Sequence, residues 1–271
     1  MRNTYFRSGG VTKILRRTFL TLVFATLLSS IAQSTTLVDP NGDGGFQNGS
    51  TFAANGWTLA NSTGANQWVI GTSTTTGMSA PFTGNRAYTS NDAGVSNGYN
   101  NASISVNYFW RDITIPAGES ILNYSFTWVS SGESTWDMIQ LFTAPTSLTP
   151  TATTTYPGSG LSTTNLVGAT FINAYNLQTT VQSASGTITV TPGTSIRIIF
   201  CWKNDGSGGT LPAGSLDNIS FVSSPPVTYT ATSMGGLWSS PATWVGGVVP
   251  GANNDISIPA GSSASHNPAW R

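Results

Sequence analysis

Apolar side chains recur at every second residue through the middle of this chain, a period that suits a pleated strand and not a helix. In Leu122-Asn-Tyr-Ser-Phe-Thr-Trp128, Leu122, Tyr124, Phe126 and Trp128 alternate with Asn123, Ser125 and Thr127. That is the pattern of a strand buried on one face. In Ser195–Trp202, Ile196, Ile198, Phe200 and Trp202 share one face, and Arg197, Ile199 and Cys201 share the other. Both faces are mostly apolar, so this segment reads as a central strand covered on two sides. Further strands are expected around residues 67–71, 102–112, 136–143, 186–190 and 219–222. Turn chemistry separates them at Pro116-Ala-Gly118, Pro192-Gly193 and Asp205-Gly-Ser-Gly-Gly209. Many short strands with long Gly, Thr and Ser connections imply an all-β jelly-roll β-sandwich.

The composition agrees with that reading. The 271 residues include 35 Ser and 40 Thr, and only 7% are charged, so the surface is built from hydroxyls rather than ions. Nine Trp, eight Tyr and twelve Phe are more aromatic material than a disordered polar chain carries, so a core is expected. A single Cys excludes an internal disulfide framework and a Cys-rich zinc module. The one His, His266 near the end, leaves little for His-based catalysis, and Cys201 reads as a small core residue. No enzymatic activity is expected of these residues.

The formal net charge of zero hides an asymmetry. Arg2, Arg7, Lys13, Arg16 and Arg17 precede the apolar run Phe19–Leu28, and Ala32 and Ser34 stand at signal-peptidase spacing. Residues 1–34 are therefore expected to be a signal peptide, the apolar run being about half the ~20 residues of a membrane span. They contain five of the ten basic residues and none of the ten acidic ones, so the mature chain would carry a formal charge of −5. That balance excludes nucleic acid as a charge-driven partner, and no membrane insertion is expected after cleavage. The expected location is secreted or on the cell surface. Ser223-Ser-Pro-Pro-Val227 then suggests a boundary. The reading is residues 36–223 as the sandwich, 224–228 as a Pro-rich linker and 229–271 as the incomplete start of a second β module. The Thr-, Pro- and Gly-rich stretch 146–162 reads as a long surface excursion between strands.

Several ordered motifs carry a resemblance. Asp43-Gly-Gly-Phe-Gln-Asn-Gly49, Phe52-Ala-Ala-Asn-Gly-Trp57, Tyr88-Thr-Ser-Asn-Asp92, Tyr108–Gly118, Trp202–Gly209 and Leu216-Asp-Asn-Ile-Ser220 follow one another in that order. Over roughly 185 residues the chain resembles the choice-of-anchor J type of module, related to cleaved-adhesin and MAM-like jelly rolls of type IX-secreted bacterial surface proteins. The resemblance implies a galactose-binding-like sandwich that is adhesive or accessory, without catalysis of its own, and that often carries structural calcium. Similar modules usually have an acidic residue where this chain has Gln47, which weakens one ligand of such a site. Gly236–Pro250 followed by Asp255-Ile-Ser-Ile-Pro259 is similar to the opening of right-handed β-helix or related repeat modules. No C-terminal sorting domain is recognisable, and the chain reads as the N-terminal fragment of a longer product.

Few residues offer site chemistry. Asp39, Asn41 and Asp43 hold positions one, three and five of an EF-hand-like loop, with Gly44 at six, but position twelve is Ser50 rather than Glu. A turn into the first strand is the competing reading. If the first and last strands meet, Asp217 could add a carboxylate to a calcium ion near Asp43. Glu133 and Asp137 invite comparison with a glycosidase pair, but four extended residues separate them by about 13 Å. Asp137 pairing with Arg111 or Lys203 is the plainer expectation. Of the aromatics with flat faces suited to stacking on sugar rings, including Trp57, Trp68 and Trp110, Tyr99 and Trp136 are the loop-borne candidates. The function expected is a secreted, non-catalytic adhesion or carbohydrate-binding module. Its partner would be an extracellular polysaccharide or a host or neighbouring cell surface. The alternative is an accessory domain of a secreted hydrolase whose catalytic domain lies beyond Arg271.

Overall fold

A computed structural model describes residues 34–75, 82, 84–156, 166–251 and 254–265. All but the last residue of the expected signal peptide, together with His266, lies outside them. The chain runs through β1 (Thr35–Val38), β2 (Thr58–Ala60), β3 (Gln67–Gly71), β4 (Arg86–Ser90) and β5 (Ser105–Thr114). It continues through β6 (Ile121–Ser130), β7 (Met138–Pro145), β8 (Thr170–Tyr175), β9 (Gln178–Thr189), β10 (Ser195–Asn204) and β11 (Ser215–Ser224). These form two antiparallel sheets. One has the order β3-β4-β11-β6-β9 with β1 also on β11, and the other the order β2-β5-β10-β7-β8. The fold is an all-β jelly-roll sandwich. No helix among the described residues is long and apolar enough to cross a membrane.

The alternation in β6 and β10 does what the sequence suggests. Leu122, Tyr124, Phe126 and Trp128 point between the sheets, where they meet Ile198, Phe200 and Trp202. Phe109 of β5 stands opposite Phe200 of β10, their rings stacked at 5.2 Å. Phe46, Phe52, Trp57 and Trp68 close around Phe109 with ring centres 5.0–6.1 Å away. The other side of β10 packs Ile199 and Cys201 with Val106, Tyr108, Trp110, Phe142 and Ala144 in a second cluster. Cys201 is fully buried, and that burial pushes its thiol up to about 12, so it is an inert core residue.

The long β7–β8 connection supplies the cover for this second cluster. Leu148, Ala152, Leu166 and Ala169 pack onto it, and the Thr153 backbone pairs with that of Val106. Arg197 fastens the cover. Its guanidinium grips Asp112 through two bonds of 2.7 and 2.9 Å, donates to the Leu148 carbonyl at 2.5 Å and lies over the Trp110 ring. What reads in sequence as a surface excursion thus seals one face of a sheet, which explains why that sheet can be apolar on both sides.

After the proline pair the chain forms β12 (Thr228–Thr230), β13 (Gly236–Leu237), β14 (Asp255–Ser257) and β15 (Ala264–Ser265). β12 pairs in parallel with β14, and β13 with β15. Trp244 is buried against Trp238, to whose carbonyl its indole N–H donates.

Phe109→Ala is expected to destabilise the sandwich by about 3–5 kcal/mol, because the surrounding rings cannot collapse into the space left. Urea unfolding followed by tryptophan fluorescence measures this, with exposed Asn123→Ala expected to change stability by less than about 0.5 kcal/mol.

Candidate functional site

The side chains with the most chemistry gather where the β6–β7 and β10–β11 connections meet. Strand β6 ends at Ser130 and β7 begins only at Met138, so Glu133 and Asp137 flank a turn rather than share a strand. The turn is closed by the Glu133 N–H donating to the Asp137 carbonyl at 3.1 Å. Gly132 and Thr210 tie it to the neighbouring connection by reciprocal backbone bonds of 3.0 Å. The separation expected from strand rise therefore does not apply. A carboxylate oxygen from each of Glu133, Asp137 and Asp205 falls within 4.8 Å of the others.

Asp137 is the buried member of this trio. One of its oxygens accepts the Tyr99 hydroxyl at 2.6 Å, and the other accepts the Asp205 N–H at 3.1 Å. Burial pushes its carboxyl up to about 6, although these two donors pull the other way. Lys203, one turn of the ladder away, is lowered to about 8 by burial, and its ammonium sits 5.0 Å from the Tyr156 ring centre. The Glu133 Oε2 is buried without a hydrogen-bond partner. Gly208 and Gly209 bend over the trio with positive φ of 65° and 75°. A Cβ at Gly209 would overlap the Tyr99 hydroxyl and an Asp137 oxygen. The glycine run that reads as a plain turn in sequence is what lets two loops share this space. Three oxygen donors of this kind could hold a hard divalent cation.

Beside the trio stands Trp136. Its ring meets Tyr156 at 5.8 Å, and its carbonyl accepts the Tyr156 hydroxyl at 3.1 Å. The Asn176 amide holds the same turn through the Glu133 and Ser134 carbonyls at 2.6 and 3.2 Å. Tyr99 takes a different role from the one its loop position suggests. It is buried, with its ring 5.1 Å from that of Trp202, so it positions Asp137 and offers no open face. Trp57, Trp68 and Trp110 are also buried. Sequence reasoning missed Asp205 and Tyr156, and the Asp-Gly-Ser-Gly-Gly run was the one signal pointing to the former.

The calcium ligands suggested by sequence are placed differently. Asp39 and Asp43 build a turn: the Asp39 carboxylate accepts the Asn41 N–H at 2.9 Å, and Asp43 Oδ1 accepts the Asp39 N–H at 2.8 Å. The other Asp43 oxygen is taken by the Arg111 guanidinium. Asp217 is buried, accepts the Asn218 N–H at 2.8 Å and is pushed up to about 7 by burial. Asp39, Asp43 and Asp217 do not converge on one point as Glu133, Asp137 and Asp205 do. Asp43 is paired with an arginine, and burial raises the Asp217 carboxyl, so both offer less negative charge to a cation than free carboxylates would.

No protein-family model matches the sequence, and no curated protein matches it. Among solved structures, the CBM22-1 xylan-binding domain of Paenibacillus barcinonensis Xyn10C is similar at 12% identity and a TM-score of 0.39. That match covers 72% of this chain and 97% of the other. The Fischerella sp. TAU Stig cyclase Fisc is similar at 13% identity and a TM-score of 0.42, covering 71% and 99%. The enzymatically active domain of bacteriophage CBA120 tailspike protein 4 shares 14% identity with a TM-score of 0.38. It matches over 68% of this chain, which spans only 21% of the tailspike domain. The set mixes a sugar-binding domain with enzymes, so it does not choose a function.

The raised carboxyls set a pH dependence. Between the ordinary carboxylate range near pH 4 and about 6 for Asp137 or about 7 for Asp217, the folded chain keeps protons that the unfolded chain releases. Their contribution to stability is therefore full at the acid end of this window and is lost as pH rises through it. The melting temperature is expected to fall between about pH 5 and pH 7.5. Asp217→Asn should flatten that slope in scanning calorimetry, and a slope unchanged in the variant would contradict the assignment.

Proposed function

We propose that the chain is a secreted, non-catalytic carbohydrate-binding or adhesion module of a larger bacterial surface protein, with its contact site at the turn carrying Trp136. One observation carries this reading. Of the six tryptophans between residues 34 and 224, five are buried, and Trp136 is the one left partly open. A pyranose offers an apolar C–H face to such an indole, while the neighbouring Ser134, Thr135, Glu133 and Asp205 can bind its hydroxyls. The Tyr156 ring beside it restrains the indole, which lowers the ordering cost of binding. The motif resemblance and the signal-peptide pattern support the surface location.

The segment after the proline pair supports a place at the start of a repeat. β12 and β14 pair residues 27 apart (Thr228 with Asp255), and β13 and β15 pair residues 28 apart (Gly236 with Ala264). A near-constant offset in parallel register is how successive coils of a solenoid stack. In this reading the sandwich is presented at the tip of a coil module.

A glycan array probed with the full chain is expected to return one class of extracellular polysaccharide. Trp136→Ala should weaken that binding at least about tenfold by isothermal titration, with the melting temperature unchanged. Binding that survives the substitution would move the site elsewhere. The absence of any polysaccharide ligand would favour a spacer role.

A further inference from the structure

The loop between β1 and β2 wraps the end of the sandwich, and several donors hold its oxygens together. Gly44 is pressed so closely on the Ile219 carbonyl that no Cβ fits, and its own carbonyl accepts the Ile219 N–H at 2.9 Å. Trp57 donates its indole N–H to the Asp43 carbonyl at 3.1 Å. Gly56, with φ of 72°, leaves room for the Arg111 guanidinium to reach the Asp43 carboxylate. The Gln47 Nε2 donates to the Gly45 carbonyl at 2.5 Å and to the Asn85 carbonyl at 3.1 Å. Both neighbours of this amide are carbonyl oxygens, so its NH2 end must face them. Two carbonyls from separate chain segments therefore converge on one protein nitrogen, beside a cleft lined by Pro40, Asn41, Gly84 and Asn218. Phe46 and Asn218, both at positive φ (57° and 52°), flank the same place. Strain of that kind in non-glycine residues persists only where the surroundings over-determine the backbone.

Carbonyl oxygens gathered in this way are what a hard cation ligates at 2.3–2.6 Å. We propose that this loop is closed without a metal, with the Gln47 carboxamide and the Arg111 guanidinium doing the work of a divalent cation. The amide bridges Gly45 to Asn85, and the guanidinium neutralises Asp43. A carboxylate at position 47 would remove both N–H donors and leave an anion facing two carbonyl oxygens. A divalent cation ligated by all three oxygens would reconcile them. Gln47→Glu should therefore turn a calcium-indifferent loop into a calcium-dependent one.

The test is scanning calorimetry of the full chain in excess chelator and in millimolar calcium, for wild type, Gln47→Glu and Gln47→Ala. The readout is each variant's calcium-induced shift minus that of wild type, which cancels any cation bound elsewhere on the chain. Gln47 is exposed, so neither exchange disturbs the core. Gln47→Glu is expected to melt below wild type in chelator and to gain about 5 °C more than wild type on adding calcium. Gln47→Ala is expected to melt lower by the same amount in both solutions. The proposal is overturned if Gln47→Glu responds to calcium no more than wild type does. It is equally overturned if wild type has a calcium response that Gln47→Ala abolishes, since Gln47 would then be a cation ligand.

Discussion

The stacking of Phe109 on Phe200 is the contact on which the rest of the molecule depends. The two residues are partners across β5 and β10, and around them the rings of both sheets and the N-terminal loop converge. Fixing that pair fixes the register of both strands. A slip of one residue would send Ile199 and Cys201 into the inter-sheet core and Phe200 to the other face. Because β10 is apolar on both sides, the fold needs a second cover, and the β7–β8 connection provides it.

The same register assembles the candidate site. Following β10 past Trp202 brings Lys203 and then Asp205 alongside Asp137, at the place where β7 leaves its turn. Gly208 and Gly209 allow the next connection to fold back over the carboxylates, and Tyr99, anchored on Trp202, presents a hydroxyl to Asp137. Core packing thus reaches the surface through two bonds on one buried aspartate. Trp136 sits beside this buried arrangement, its carbonyl held by the Tyr156 hydroxyl and its ring centre 5.8 Å from that of Tyr156.

The legible parts of the fold are those where burial alternates with strong contrast. β6 and β10 declare themselves because aromatic and branched residues face Asn, Ser and Thr, and Cys201 falls in place with them. β3 is legible over its whole length, residues 67–71, where Trp68 and Ile70 alternate with Gln67 and Val69. β9 is twelve residues long, yet only its last part reads as a strand, because Thr, Gln, Ser and Ala supply little contrast between its faces. β4 escapes notice for the opposite reason. All five of its residues, including Arg86 and Ser90, are buried, and a polar segment gives no sign of that. At the site, Glu133, Asp137 and Trp136 could be named from sequence. Their meeting with Asp205, some seventy residues later, follows from tertiary register and two glycines. The pairing of Asp43 with Arg111 was likewise invisible, since a loop that looks like a cation binder and one that supplies its own positive charge share the same acidic residues.

The central claim is that the turn around Trp136 is the contact surface for an extracellular polysaccharide. Hydroxyl-radical footprinting of the full chain, with and without a saturating polysaccharide selected on a glycan array, tests it most directly. The account predicts protection confined to residues 131–137, Tyr156 and residues 205–209. Protection spread over another face of the sandwich, or a footprint unchanged by the bound polysaccharide, would contradict it.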